Sequence, residues 1–158
     1  MQLTLVMIGK NKESFVEEGF NHFIKRIKKY VSFQTKEVPG LKKSKNLSAE
    51  EIKREEGVRL LKHIPKGSEM VLLDERGSKM SSEKFAKWVE KKMTHGGQSM
   101  CFVIGGAYGF SEEVYKNASF KLSLSEMTFS HQLIRIIFAE QLYRALTIIK
   151  GEPYHHGK

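Results

Sequence analysis

Residues able to do chemistry crowd the last third of the chain, from Phe102 to His156. In the stretch Ser130 to Ile149, His131 and Arg135 are one helical turn apart, and so are Glu140 and Arg144. At about 100° per residue the second pair lies about 140–180° around a helix from Arg135. Imidazoles and carboxylates exchange protons, and a guanidinium binds phosphate or stabilises developing negative charge. Spacing alone leaves two readings open: ion pairs at helix edges, or a cleft that uses Arg for phosphate and Glu for proton transfer. The ending Gly151-Glu152-Pro153-Tyr154-His155-His156 adds a ring that can stack on a base and two further imidazoles. By position alone such a polar ending is a frayed one.

Gly105-Gly106-Ala107-Tyr108-Gly109 follows the apolar run Met100 to Ile104. Glycines there let backbone groups approach a ligand, and they equally suit a turn with positive φ. The block lacks G-x-G-x-x-G spacing and no Walker A sequence occurs, which disfavours a nicotinamide or nucleotide-phosphate enzyme.

The elements that must hold these residues are legible as an alternation. Leu3 to Ile8 reads as a strand, and Glu13 to Tyr30 as a helix with Phe15, Val16, Phe20, Phe23, Ile24 and Ile27 at helical spacing. Val31 to Val38 is a second strand. A basic connection with Lys42, Lys43 and Lys45 leads to a helix from about Ser48, which forms a capping box with Glu51. Met70 to Leu73 is a third strand running into a turn at Asp74-Glu75-Arg76-Gly77. A helix capped by Ser81 or Ser82 and ending at His95-Gly96-Gly97 precedes the strand Met100 to Ile104. A helix from Ser111, a strand at Phe120 to Leu124 and a long helix from about Ser130 to Ile149 complete the order. Five strands alternating with five helices predict an α/β fold, a mainly parallel sheet covered by helices on both faces, in a single domain spanning 1–158. Ligands of such sheets bind beyond the carboxyl ends of the strands, at the turns after Leu73, Ile104 and Leu124. The last helix is apolar nearly all round, so one side should pack on the sheet and the other on a second copy: a homodimer through the C-terminal helix.

The net charge of +9 and pI near 9.6 point to a polyanionic partner. Residues 1–66 carry 15 Lys/Arg against 8 Asp/Glu, the remainder 12 against 10, so the N-terminal half is the electrostatic half. No apolar stretch approaches the roughly 18 residues of a membrane span, and no leader is recognisable, which fits a cytoplasmic protein without a membrane role. The single Cys101, inside an apolar run, reads as a core residue rather than part of a metal site.

Taken together, FVIGGAYGFS, LSLSEMTFSHQLIRIIFAEQLYRALTIIKG and the PYHH ending resemble the ribosomal RNA large-subunit methyltransferase H family of the SPOUT superfamily over essentially the whole chain. The resemblance implies a C-terminal trefoil knot, a homodimer, and methyl transfer from S-adenosylmethionine to N3 of a pseudouridine in large-subunit (23S) ribosomal RNA, without a metal. By matched positions it implies a cofactor pocket of Leu73, Gly105, Leu124, Ser125, Glu126, Met127, Thr128 and Phe129. Glu126 stands where relatives often carry an uncharged or basic residue, so it is assigned backbone contact only. Ser130 stands where proline is frequent, and serine can also open the helix. Candidate bases for the N3 proton are Glu140, His155 and His131. Arg135 and Arg144 are candidates for phosphate or developing charge, and Tyr154 for stacking. Lys25, Arg26, Lys42, Lys43 and Lys45 are expected to dock the ribosomal RNA. Two other readings stay open: a SPOUT relative acting on another RNA or a ribose hydroxyl, and a non-catalytic basic RNA-binding assembly factor.

Overall fold

Alternation along the strands divides the core in two. In the computed structural model, which describes residues 1–42 and 45–157, β1 (Gln2–Ile8) sends Leu3, Leu5 and Met7 to one face of the sheet and Val6 and Ile8 to the other. β4 (Met100–Ile104) does the same with Phe102 and Ile104 against Cys101 and Val103. Strands buried on both faces read as continuous apolar runs, and that is how these segments read. With β2 (Ser32–Val38), β3 (Glu69–Lys79) and β5 (Phe120–Ser123) they form one sheet in the order β2-β1-β4-β3-β5, every pairing parallel. Helices α1 (Ser14–Ile27), α3 (Ser82–Lys91) and α5 (Leu133–Ile149) contribute to the larger core cluster, while α2 (Ala49–His63) and α4 (Glu112–Asn117) pack on the opposite face. The predicted two-sided α/β architecture is the observed one.

Two differences from the sequence expectation bear on the site. β3 does not stop at Leu73: it bulges and resumes, so that Leu73 and Ser78 are both in register with Leu122 of β5. Residues 74–77 are thereby pushed out of the ladder toward the strand ends. Gly77 permits the return, because a Cβ there would lie 2.6 Å from the backbone of Lys121. α5 begins at Leu133 rather than Ser130, whose hydroxyl accepts the Leu133 N–H and whose carbonyl accepts that of Ile134.

α5 is also more covered within one chain than its all-round apolar surface suggests. α1 and α3 flank it, so that of its residues only Leu133 is exposed. Its first turn is held by Arg135, which is fully buried and donates to Ile8 O at 2.6 Å, Asn11 Oδ1 at 3.0 Å and His131 O at 3.2 Å. Burial lowers its pKa, yet each of its three nitrogens donates to a neutral acceptor. No face of this side chain is open to an RNA phosphate. Replacing Arg135 with Met strands three acceptors and should lower the unfolding free energy by about 3 kcal/mol, read as a reduced urea midpoint. An unchanged midpoint with weakened RNA binding would instead restore the phosphate role.

Candidate active site

A cleft of about 660 Å³ opens at the carboxyl ends of β3, β4 and β5. Leu73, Gly105, Leu124, Ser125, Met127, Thr128 and Phe129 all line it, as does His131. Glu126 does not: its carboxylate turns outward and pairs with Lys79. The bulge adds what the sequence reading missed. Asp74, Glu75 and Arg76 line the same cleft; Tyr115 of α4 donates its hydroxyl to Asp74, Arg76 donates to the Tyr115 oxygen at 3.1 Å, and Thr128 donates to Glu75. A glycine interrupting a strand was the available signal, since such a residue marks a bulge.

Behind the glycine turn sits a buried carboxyl. Glu56 of α2 is 8% exposed, its Oε1 has no hydrogen-bond partner among the described residues, and it occupies the space a Cβ on Gly106 would need, 2.6 Å away. Burial pushes its pKa up, only partly offset by Arg59. His131 moves the other way: burial first, then the charges of Arg135 and Lys12, hold its imidazole below the usual value and leave it neutral at pH 7. Burial pushes the Cys101 thiol up to about 12, so it is no nucleophile.

The remaining candidates form a second cluster farther along α5. Arg144 Nη2 meets Glu140 Oε2 at 2.8 Å, and its guanidinium carbon lies 4.8 Å from the centre of the Tyr154 ring. Tyr154 donates to Glu140 Oε2 at 3.1 Å, and Arg144 Nη1 lies 3.0 Å from His155 Nδ1. The hydrogen bonds to Glu140 raise the Arg144 pKa, and burial, then Glu140, raises that of Tyr154. The tail that carries these groups is folded back, not frayed. Gly151 (φ +71°) donates to Ile148 O while Glu152 donates to Thr147 O, a Schellman turn. Tyr30 donates to Glu152 at 2.8 Å, and Tyr154 packs edge-on to Tyr143. Within one chain the two groupings are apart: Arg144 lies ten residues, about 15 Å, beyond the cleft-lining Ile134.

Residues 1–155 match the family model described as predicted SPOUT methyltransferase. The chain belongs to the SPOUT methyltransferases. It is 46% identical over 156 residues to the ribosomal RNA large subunit methyltransferase H of Bacteroides fragilis, and 48% identical over 156 residues to that of Christiangramia forsetii, covering 99% of both chains in each comparison. That similarity places it in the methyltransferase H family. The tRNA (m1G37) methyltransferase of Aquifex aeolicus superposes with a TM-score of 0.56 at 14% identity, covering all of this chain and 76% of the other, a likeness of fold alone.

Glu56 makes stability depend on pH in a direction opposite to that of a paired carboxylate. The folded chain keeps the Glu56 proton to higher pH than the unfolded chain does. Its stability therefore falls as pH rises from the ordinary carboxylate range through the raised value. Glu56→Gln should melt with the parent near pH 4 and above it near pH 8. Equal melting at both values would show that the carboxyl ionises freely.

Proposed function

We propose that this methyltransferase moves a methyl group from S-adenosylmethionine to N3 of a pseudouridine in large-subunit ribosomal RNA, acting as a homodimer through α5. The observation that carries the reading is the pairing of a ligand-sized cleft at three strand ends with a cluster of Glu140 and Arg144 from α5 and Tyr154 and His155 from the tail folded back on it, in a chain of this family. The cleft fits the cofactor. Its volume lies in the usual small-ligand range, and apolar Leu73, Ile104, Leu122 and Phe129 can exclude water around the bound group. Asp74 and Glu75 place negative charge where a sulfonium and an ammonium would be received. The trefoil knot implied by family resemblance belongs to this reading, and a ribosomal substrate makes the cytoplasm its compartment.

The cofactor supplies an electrophilic methyl group; the chain supplies alignment and a path for the proton. Backbone groups of residues 124–129 and of the glycine turn would hold the donor. His131, neutral and at the cleft, can accept a proton, as can Glu140 or His155. Arg144 would meet a phosphate or the charge developing on the pyrimidine, and Tyr154 would stack on a base. The separation of cleft and cluster is why a second copy enters: with Leu133, Ile137, Glu140, Gln141, Arg144 and Ile148 along one face of α5, a partner helix could bring its cluster to this cleft. Docking falls to Lys25 and Arg26 in the last turn of α1 and to Lys42 and Lys45, all exposed. Lys43 lies outside the described residues.

Calorimetry should show saturable S-adenosylmethionine binding; its absence would favour a non-catalytic RNA-binding factor. Single-turnover methylation of ribosomal RNA should slow about 100-fold or more in at least one of Glu140→Gln, Arg144→Ala and His155→Ala. Near-normal rates in all three would remove the catalytic cluster. Product nucleoside analysis separates N3 of pseudouridine from a ribose or another RNA.

Neutralising Lys25, Arg26, Lys42, Lys43 and Lys45 together should weaken RNA binding and flatten its log–log salt dependence by roughly 0.7–0.9 for each phosphate that is no longer neutralised. An unchanged slope would place the RNA elsewhere.

A further inference from the structure

Glu83 has no part in the chemistry described so far. It occupies the first turn of α3, whose start is fixed by Ser81 accepting the Lys84 N–H, and whose Phe85, Ala86 and Val89 pack into the core with Phe138 and Leu142 of α5. A carboxylate there suits the helix dipole. That role needs no partner, yet Glu83 Oε1 lies 2.8 Å from His155 Nε2, and the imidazole is only 17% exposed.

The two ring nitrogens of His155 face groups that leave no choice of proton position. Nδ1 lies 3.0 Å from Arg144 Nη1, and a guanidinium offers donors only, so Nδ1 accepts. Nε2 faces a carboxylate, which accepts, so Nε2 carries the hydrogen. The Glu83 carboxyl is held below the ordinary carboxylate range, chiefly by this hydrogen bond, and is ionised at neutral pH. The result is a line of contacts Glu83–His155–Arg144–Glu140–Tyr154 in which every charged group has a partner.

We infer that Glu83 is a positioning residue for the methyl transfer: it fixes the ring plane and Nε2–H tautomer of His155, so that the basic lone pair is always on Nδ1. The inference rests on the function proposed above and deepens it. When Arg144 turns to an RNA phosphate, Nδ1 is left free and oriented. It then takes the N3 proton as the N3–CH3 bond forms and the S–CH3 bond breaks. The sulfur keeps that electron pair as a neutral thioether, and the resulting imidazolium sits against the Glu83 carboxylate. The division of labour is that of a histidine base oriented by an acid.

The test joins a spectroscopic readout with a kinetic one. Two-bond ¹H–¹⁵N correlation spectra of the full chain without RNA or cofactor, with the His155 signals assigned by His155→Gln, should show the Nε2–H form in the parent. Glu83→Ala should show a tautomer mixture. Glu83→Gln, which still offers a carbonyl acceptor, should retain the Nε2–H form. In steady-state methylation Glu83→Ala should lose about 10-fold or more in kcat with KM for S-adenosylmethionine unchanged, and Glu83→Gln should recover part of it. Unchanged His155 signals in Glu83→Ala overturn the inference, and so does an altered tautomer with kcat within two-fold of the parent. Should the parent itself fail to methylate ribosomal RNA, the proposed function falls, whereas the tautomer result still reads the Glu83–His155 contact.

Discussion

The Arg135 guanidinium, fully buried and forming no ion pair among the described residues, is the constraint on which the placement of the site depends. It ties the first turn of α5 to the last residue of β1 and to the loop that follows, through Ile8 O, Asn11 Oδ1 and His131 O. Gln132 reinforces the tie by accepting from Lys12 and donating to Lys10 O. A charged side chain buried this way is tolerable only when its donors are all received. The arrangement therefore admits one position of α5 along the sheet, not a range of slides. Moving the helix by one turn would break the bonds to Ile8 and Asn11 and carry His131 away from the cleft. His131, Ser130 and Phe129 belong to the cleft because Arg135 does not.

The same helix then sets the second grouping by length alone. From the pinned first turn, a rise of about 1.5 Å per residue places Glu140 and Arg144 well beyond the cleft. The Schellman turn at Gly151 reverses the chain so that Tyr154 and His155 return to them. Tyr30 holding Glu152, Tyr143 under Tyr154 and Glu83 against His155 keep the returned tail in place. An ending that would cost entropy to order is thus ordered by contacts with the turn after α1, with α3 and with α5.

What was legible in the sequence divides along physical lines. The five-strand alternation and the turns after Leu73, Ile104 and Leu124 were readable because burial on both sheet faces imposes apolar runs, and parallel sheets collect ligands at their carboxyl ends. Asp74, Glu75 and Arg76 were read as the turn after Leu73 but not as cleft residues, because a bulge is a matter of register between strands, and only Gly77 hinted at it. The contacts of Arg135 were not legible for a related reason. A helical wheel puts it beside His131, but only three-dimensional packing shows that Ile8 O and Asn11 Oδ1 wait for its donors. The tail needed family resemblance, since its composition describes a frayed end and its order arises from neighbours distant in sequence. Glu83 was not singled out, because its partner is 72 residues away.

The geometry of α5 also bears on why the Glu140–Arg144 cluster stands apart from the cleft. Crowding Arg144, Glu140 and a histidine around the cleft of the same chain would place them beside Asp74, Glu75 and Arg76, whose charges are already arranged among themselves and with Tyr115. Ion pairs formed within one dense cluster would compete with the substrate for the same donors. Separating the two groupings along a rigid helix lets the members of each hydrogen-bond among themselves before the substrate arrives. A rigid helix also fixes the distance between them, so cleft and cluster in two copies related by a two-fold axis would meet at one spacing only. Under that arrangement the α5 length, the Arg135 anchor and the Gly151 turn are the three quantities that decide whether a base on one chain can reach a methyl group on the other.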